Sequence, residues 1–161
     1  MNRSKFCMQL GSDYEHVKKL YADVNVRKYL GGIIPEIHAL NKFMETLDRA
    51  NRHQSFYWAV TLKENNTFIG LVSLENHRDG LHMEVSYEFS PNNWGHGYAE
   101  EVIRRLILYA FKELNQSKLI AEIQSANLSS CRLLEKVGMK AEQTLYRYGA
   151  EQVITAYRTD R

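Results

Sequence analysis

The stretch Asn92-Asn93-Trp94-Gly95-His96-Gly97-Tyr98-Ala99 holds the residues best placed to do chemistry. Pro91 stops a strand just upstream, because proline has no N–H for a ladder. A helix with an apolar stripe follows. Helix N-termini present unpaired N–H groups and partial positive charge. Two glycines at i and i+2, Gly95 and Gly97, let a ligand come close to the main chain. Together they make an anion site, most naturally for phosphate groups, although glycines in such a loop also serve turn geometry alone. Glu100 and Glu101 fall in the first helical turn, where they suit the dipole and partly oppose an anion. Two familiar phosphate motifs are excluded. A dinucleotide fingerprint needs a third glycine where Glu100 stands. A P-loop needs Gly-Lys-Ser/Thr entering its helix, and the chain has no such tripeptide.

Other polar residues fall near this stretch. In the preceding strand, Glu84, Ser86 and Glu88 share one face, with Val85, Tyr87 and Phe89 on the other. Asn127 stands where it can cap a helix, and Ser130 follows three residues later. His96 lies between the glycines, with no second histidine or carboxylate at ligand spacing, so no metal is expected. His77 and His82 flank a turn and read as exposed polar residues. Cys131 has no matching His–Asp set and reads as a small buried apolar residue. Trp58, Trp94, Tyr57, Tyr87 and Tyr98 read as packing, with Tyr87 also within range of a substrate.

These side chains need a scaffold. Phe6 to Leu10 suggests a first strand. Ser12 or Asp13 could cap a helix to about Asp23, with Val17, Leu20 and Tyr21 inward. A short helix and a loop with Gly31 and Gly32 occupy Val26 to Ile34. The helix after Pro35 has Ile37, Leu40, Phe43, Met44 and Leu47 at helical spacing and Asn41, Glu45 and Asp48 opposite. Phe56 to Lys63 and Thr67 to Glu75 form a hairpin, and Leu81 to Phe89 a third strand. A long helix reaches about Leu114 with Val102, Ile103, Leu106, Ala110 and Leu114 buried. Then come a strand at Leu119–Gln124, a helix from Asn127 to Val137 stopped by Gly138, and strands at Thr144–Tyr148 and Gln152–Arg158. The order β-α-α-β-β-β-α-β-α-β-β is a mixed α/β layout on one sheet.

Length and charge bound the rest. The chain has 161 residues, about one domain's worth, and no linker, repeat or low-complexity segment divides it. With 21 Lys and Arg against 19 Asp and Glu, the net charge is +2, which argues against a nucleic-acid partner. A hydrophobic fraction of 44% and a charged fraction of 25% are those of a globular chain, not a disordered one. Cys7 and Cys131 lie far apart, so neither a disulfide framework nor a thiolate metal site is expected. No apolar run approaches the ~18 residues needed for a membrane span. The N-terminus lacks a signal-peptide core, which makes a cytoplasmic protein the expectation.

The order of these motifs is more specific than any one of them. Asn92-Asn93-Trp94-Gly95-His96-Gly97 resembles the Gln/Arg-x-x-Gly-x-Gly/Ala acetyl-CoA loop of the GNAT N-acetyltransferases, with Asn92 in place of Gln or Arg. Trp94-Gly95-His96-Gly97-Tyr98-Ala99 looks closer to the ribosomal-protein (RimJ/RimL-like) branch. So do Glu84-Val85-Ser86-Tyr87, Asn127-Leu128-Ser129-Ser130 and Leu134-Glu135-Lys136-Val137-Gly138-Met139, where Met139 replaces the branch's Phe. The resemblance covers roughly residues 3–158.

The resemblance implies a splayed sheet, with the strand ending near Pro91 parting from Leu119–Gln124 and the pantetheine arm of acetyl-CoA in the gap. It implies that the main chain at Phe89, Ser90 and Pro91 lines that arm. Gly95, His96, Gly97, Tyr98, Ala99 and Glu100 would cradle the pyrophosphate, and Asn127 would bind the cofactor as well as cap its helix. The reaction implied is direct acetyl transfer to a primary amine in a ternary complex. Glu84 is the matching base, with Glu88 second. Ser130 is the matching acid, with Tyr146 as the alternative hydroxyl. Deprotonating a lysine-like amine at pH 7 costs about 4–5 kcal/mol, an α-amine only about 1, so a carboxylate acting through water suffices for the latter.

Acceptor choice should lie in the first helices, the Gly31–Pro35 loop and the final hairpin, where Arg27, Lys28, Glu36, His38 and Asn41 read as a wet surface. A protein N-terminus is the expected acceptor. A small-molecule amine, such as a polyamine or an antibiotic, is the alternative, as is a silent acyl-CoA-binding module. Family members often form homodimers, yet no exposed apolar seam can be picked out of the sequence.

Overall fold

The computed structural model describes residues 3–7, 13–52 and 55–159. The strands are β1 (Ser4–Cys7), β2 (Ser55–Leu62), β3 (Phe68–Asn76), β4 (Met83–Phe89), β5 (Lys118–Gln124), β6 (Lys140–Arg147) and β7 (Ala150–Arg158). The helices are α1 (Tyr14–Ala22), α2 (Val24–Arg27), α3 (Glu36–Asn51), α4 (Tyr98–Lys112) and α5 (Leu128–Lys136). All seven strands join one sheet in the order β1-β2-β3-β4-β5-β7-β6. β4 and β5 run parallel, while β1–β2, β2–β3, β5–β7 and β6–β7 are antiparallel. The mixed α/β class is as expected. The β4–β5 ladder is registered at Met83↔Leu119 and Glu84↔Ile120.

The chain forms two compact units. The first comprises the described part of Met1–Glu75 together with Ser86–Tyr98. Its core packs Val17, Leu20 and Tyr21 of α1 against Ala39 and Phe43 of α3 and Tyr57, Ala59 and Leu71 of the hairpin. Each such large side chain contributes ~1.5–3 kcal/mol on burial. Asp23 ends α1 and restarts the helix one residue on, its carboxylate accepting the N–H of Asn25 and of Val26. α2 therefore begins at Val24, two residues before the expected start.

Three expectations for this unit need correction. β1 begins at Ser4, ahead of Phe6, and residues 8–10 and Ser12 lie outside the described residues. α3 buries Ala39, Phe43 and Thr46, so Phe43 is the one fully buried member of the predicted stripe. Ile37, Leu40 and Met44 are 81%, 51% and 55% exposed, and Leu30 and Ile33 before them are exposed too. α3 carries two apolar stripes, and spacing alone does not say which one packs. An exposed apolar seam therefore exists where none could be picked out.

The second unit comprises Asn76–Val85 and Ala99–Arg161. α4 buries Val102, Ile103, Leu106, Ile107 and Ala110, whereas Leu114 lies beyond its end. Asn127 caps α5, and Gly138, at φ +98°, ends it in the left-handed region. β6 starts at Lys140, four residues before the predicted strand. As an edge strand exposed along most of its length, with a register shift at Ala141/Gln143, it has little apolar alternation to read. No described helix is long and apolar enough to cross a membrane.

Candidate active site

β4 leads directly into the loop. The Ser90 N–H donates to the Ile69 carbonyl of β3 at 2.8 Å, fixing the strand end. Pro91–Asn93 form one 3-10 turn, closed by the Trp94 N–H on the Pro91 carbonyl. The Trp94 indole turns back and donates to the Phe89 carbonyl at 2.8 Å. Trp94 is 49% exposed, so the expected packing residue is a half-open brace instead. Phe89 thus commits its carbonyl, and Ser90 both its N–H and its carbonyl, which accepts the Asn93 N–H at 2.9 Å, to holding the strand end and turn.

Gly95 and Gly97 then adopt φ +80° and +79°, a conformation that L side chains rarely take. Left-handed residues beside a helix start aim successive N–H groups toward one concavity. Among the described residues, no main-chain carbonyl takes the N–H of Gly95, His96 or Gly97. A Cβ at Gly95 would meet nothing within 4 Å. Of the two acidic residues in the first turn of α4, Glu100 is ion-paired. Glu100 pairs with Lys136 at 2.9 Å and with Arg104 at 3.0 Å, which holds its carboxyl below the usual range. The opposition expected from Glu100 to an anion is thereby much reduced.

Glu84 is half-buried on β4, and its Oε2 accepts the Glu122 N–H of β5 at 3.2 Å. Glu122 is itself held. The His77 Nε2 lies 2.9 Å from Glu122 Oε1, and the Arg147 Nη1 lies 3.1 Å from the same oxygen. The His77 Nδ1 lies 3.2 Å from the Asp79 main-chain nitrogen, which donates to it. His77 is 4% exposed, which corrects the expectation of an exposed turn residue. Its burial is tolerated because both ring nitrogens are bonded.

Glu88, on the same face of β4, is built differently. Its carboxylate takes the Arg27 guanidinium at 2.9 Å, and both side chains are 12% exposed. Arg27 also donates to the carbonyls of Leu30 and Gly32. One side chain therefore pins the loop after α2 to β4, which corrects the reading of Arg27 as a wet surface residue. Burial, and then the Glu88 charge, push the Tyr21 hydroxyl up to about 12.

On α5, the Asn127 side-chain oxygen accepts the Ser130 N–H at 3.3 Å, leaving the Asn127 amide NH2 outside the cap. Ser130 is buried. Cys131 is half-buried rather than buried, and burial, then Glu135, raise its thiol. A raised thiol is a poor nucleophile. Tyr146 is 77% exposed, and its hydroxyl donates to the Gly149 carbonyl within its own hairpin.

Residues 9–140 match the family described as the acetyltransferase (GNAT) domain. The chain belongs to the GNAT acetyltransferases. It is 30% identical over 131 residues to the uncharacterized N-acetyltransferase YnaD of Bacillus subtilis, covering 81% of this chain and 75% of that one. In fold it is similar to the spermidine N-acetyltransferase of Vibrio cholerae in complex with CoA and spermine. There the TM-score is 0.79 at 20% identity, over 97% and 94% of the two chains. It is also similar to the ribosomal-protein-S5-alanine acetyltransferase of Vibrio fischeri. There the TM-score is 0.77 at 18% identity, over 99% and 95% of the two chains.

As a GNAT enzyme the chain is an acetyl-CoA-dependent N-acyltransferase, and the loop fits the diphosphate of that co-substrate. Two left-handed glycines, open space beside Gly95 and the start of a 15-residue helix are features that suit a diphosphate. Sequence reasoning missed Arg3, whose guanidinium donates to the His96 carbonyl at 2.9 Å. It also missed the His77–Glu122–Arg147 cluster. No local spacing marks either, because their partners are brought together only by the sheet.

Proposed function

We propose that the chain works as one catalytic domain of the RimJ/RimL-like branch. In this reading it acetylates the α-amine at a protein N-terminus, by direct attack in a ternary complex. Acetyl-CoA supplies an acetyl group activated as a thioester. Glu84 accepts, through water, the proton that the amine loses as its nitrogen bonds to the acetyl carbon. Ser130 donates its hydroxyl proton to the sulfur as the carbon–sulfur bond breaks. An α-amine near pKa 8 asks little of such a base. Phe89, Ser90 and Pro91 line the pantetheine, Gly95 to Glu100 hold the diphosphate, and Asn127 directs its amide NH2 to the cofactor.

The observation that carries the acceptor choice is the pairing of three carboxylates of the sheet with arginines. Glu75 carries Arg49, Glu88 carries Arg27 and Glu122 carries Arg147. A polycation would need carboxylates whose charge is not already met. The segment expected to set specificity instead exposes Leu30, Ile33, Ile37 and Leu40, which suit the apolar side chains of a peptide. A thiol-release assay over N-terminal peptides, spermidine and an aminoglycoside tests this. Turnover concentrated on peptides is expected. Preference for spermidine would overturn the acceptor assignment, and no turnover with any amine would point to a silent binding module.

A further inference from the structure

In the first turn of α4, the Glu100 carboxylate gathers two cations that come from different helices. Arg104, one turn further along α4, places Nη2 3.0 Å and Nε 3.2 Å from Glu100 Oε1. Lys136, the last residue of α5, places Nζ 2.9 Å from Glu100 Oε2. Arg104 Nη2 also donates to the Lys136 carbonyl at 2.8 Å, which ties α4 to the last turn of α5. Two cations thus meet one carboxylate. The Lys136 and Arg104 side chains are 68% and 49% exposed against 23% for Glu100, so the cations are what this cluster presents to solvent. Arg132 stands four residues before Lys136, hence on the same face of α5. Among the described residues it makes no ion pair. Exposed pairs of this kind add little to stability.

We propose that Arg104 and Lys136 bind the 3′-phosphate of the acetyl donor, with Glu100 as the internal counter-ion that holds them in place. This rests on reading Gly95–Tyr98 as the diphosphate cradle. Glu100 follows Gly97 by three residues, less than one helical turn. In CoA, one ribose separates the diphosphate from the 3′-phosphate.

A phosphate monoester carries about −1.5 to −2 charges at pH 7 and three acceptor oxygens. It therefore attracts the same two cations more strongly than a single carboxylate does. The Arg104 guanidinium offers a planar fork that matches phosphate oxygens. The Lys136 ammonium has three donors, of which Glu100 takes one. The ligand class is a nucleotide with a phosphate on its ribose, read apart from the diphosphate that CoA shares with dephospho-CoA.

Calorimetry with CoA and dephospho-CoA, which differ only in that phosphate, tests the assignment on the full chain. The parent should prefer CoA by about tenfold or more. Lys136→Gln, at an exposed position where little stability is at stake, should weaken CoA by about threefold or more and leave dephospho-CoA as in the parent. Arg104→Gln, its fold checked by circular dichroism, should do the same. The double variant should bind the two ligands about equally. Equal affinity of the parent for both ligands would overturn the assignment. So would a preference for CoA that survives both substitutions, or a loss in Lys136→Gln that is the same for both ligands. A parent that binds both ligands equally well keeps the diphosphate cradle and loses the 3′-phosphate site, whereas a parent that binds neither loses both.

Discussion

Replacing Arg27 with methionine tests whether Glu88 is a structural anchor or a free carboxylate. Arg27 and Glu88 are both 12% exposed at a separation of 2.9 Å. Methionine keeps most of the aliphatic stem and removes the charge. Glu88 is then left largely desolvated without its cation, and the Leu30 and Gly32 carbonyls lose the same donor. Breaking one side of a buried pair costs about 3–5 kcal/mol. The residual exposure argues for the lower end, ~3 kcal/mol. At about 2–4 °C per kcal/mol for a chain of this size, Tm should fall by roughly 6–12 °C. Glu88→Leu in the Arg27→Met background should recover part of that loss, because the stranded charge goes with it. Urea unfolding of the two single variants and the double variant closes the cycle. A cost for Arg27→Met below about 1 kcal/mol, or coupling near zero, would refute the anchor and restore Glu88 as a candidate base.

Other predictions follow from the same geometry. Glu84→Gln should lower kcat by about 10²–10⁴ while CoA affinity is retained; unchanged turnover would remove it as the base. Ser130→Ala should lower kcat while CoA affinity is retained; unchanged turnover would remove it as the acid. Gly70→Ala should destabilise by ~1–3 kcal/mol in urea unfolding, since its Cβ would lie 2.7 Å from the Glu88 carbonyl and 2.6 Å from the Phe89 ring. Tyr21, with its hydroxyl pushed up to about 12, should stabilise the fold fully below pH 10, the unfolded value, and lose that contribution as pH rises toward 12. Ultraviolet titration should show Tyr21 and Tyr57, both raised chiefly by burial, ionising only with alkaline unfolding; their ionisation in the native fold near pH 10 would contradict this.

What was legible in the sequence was local. Gly95 and Gly97, the Asn127 cap and the Gly138 stop each act within a few residues, so their types and spacing are enough. The inward faces of α1 and α4 were legible because each has one dominant apolar stripe. α3 has two, and only tertiary packing chose Ala39 and Phe43 over Ile37, Leu40 and Met44. β6 hid because an edge strand needs no buried face. The pairings that build the candidate site were out of reach for a different reason. Arg3 meets His96 across 93 residues, Arg27 meets Glu88 across 61, and His77 meets Glu122 across 45. Such partners are set by strand order, and a charged residue's type does not reveal whether its partner is water or another side chain.

The central claim is that the main chain from Gly95 to Tyr98 grips the diphosphate of the acetyl donor. A crystal structure at saturating CoA tests it most directly. The diphosphate oxygens should lie within about 3.2 Å of N–H groups in that segment. Density for the diphosphate elsewhere on the chain, with those N–H groups facing water, would contradict the account.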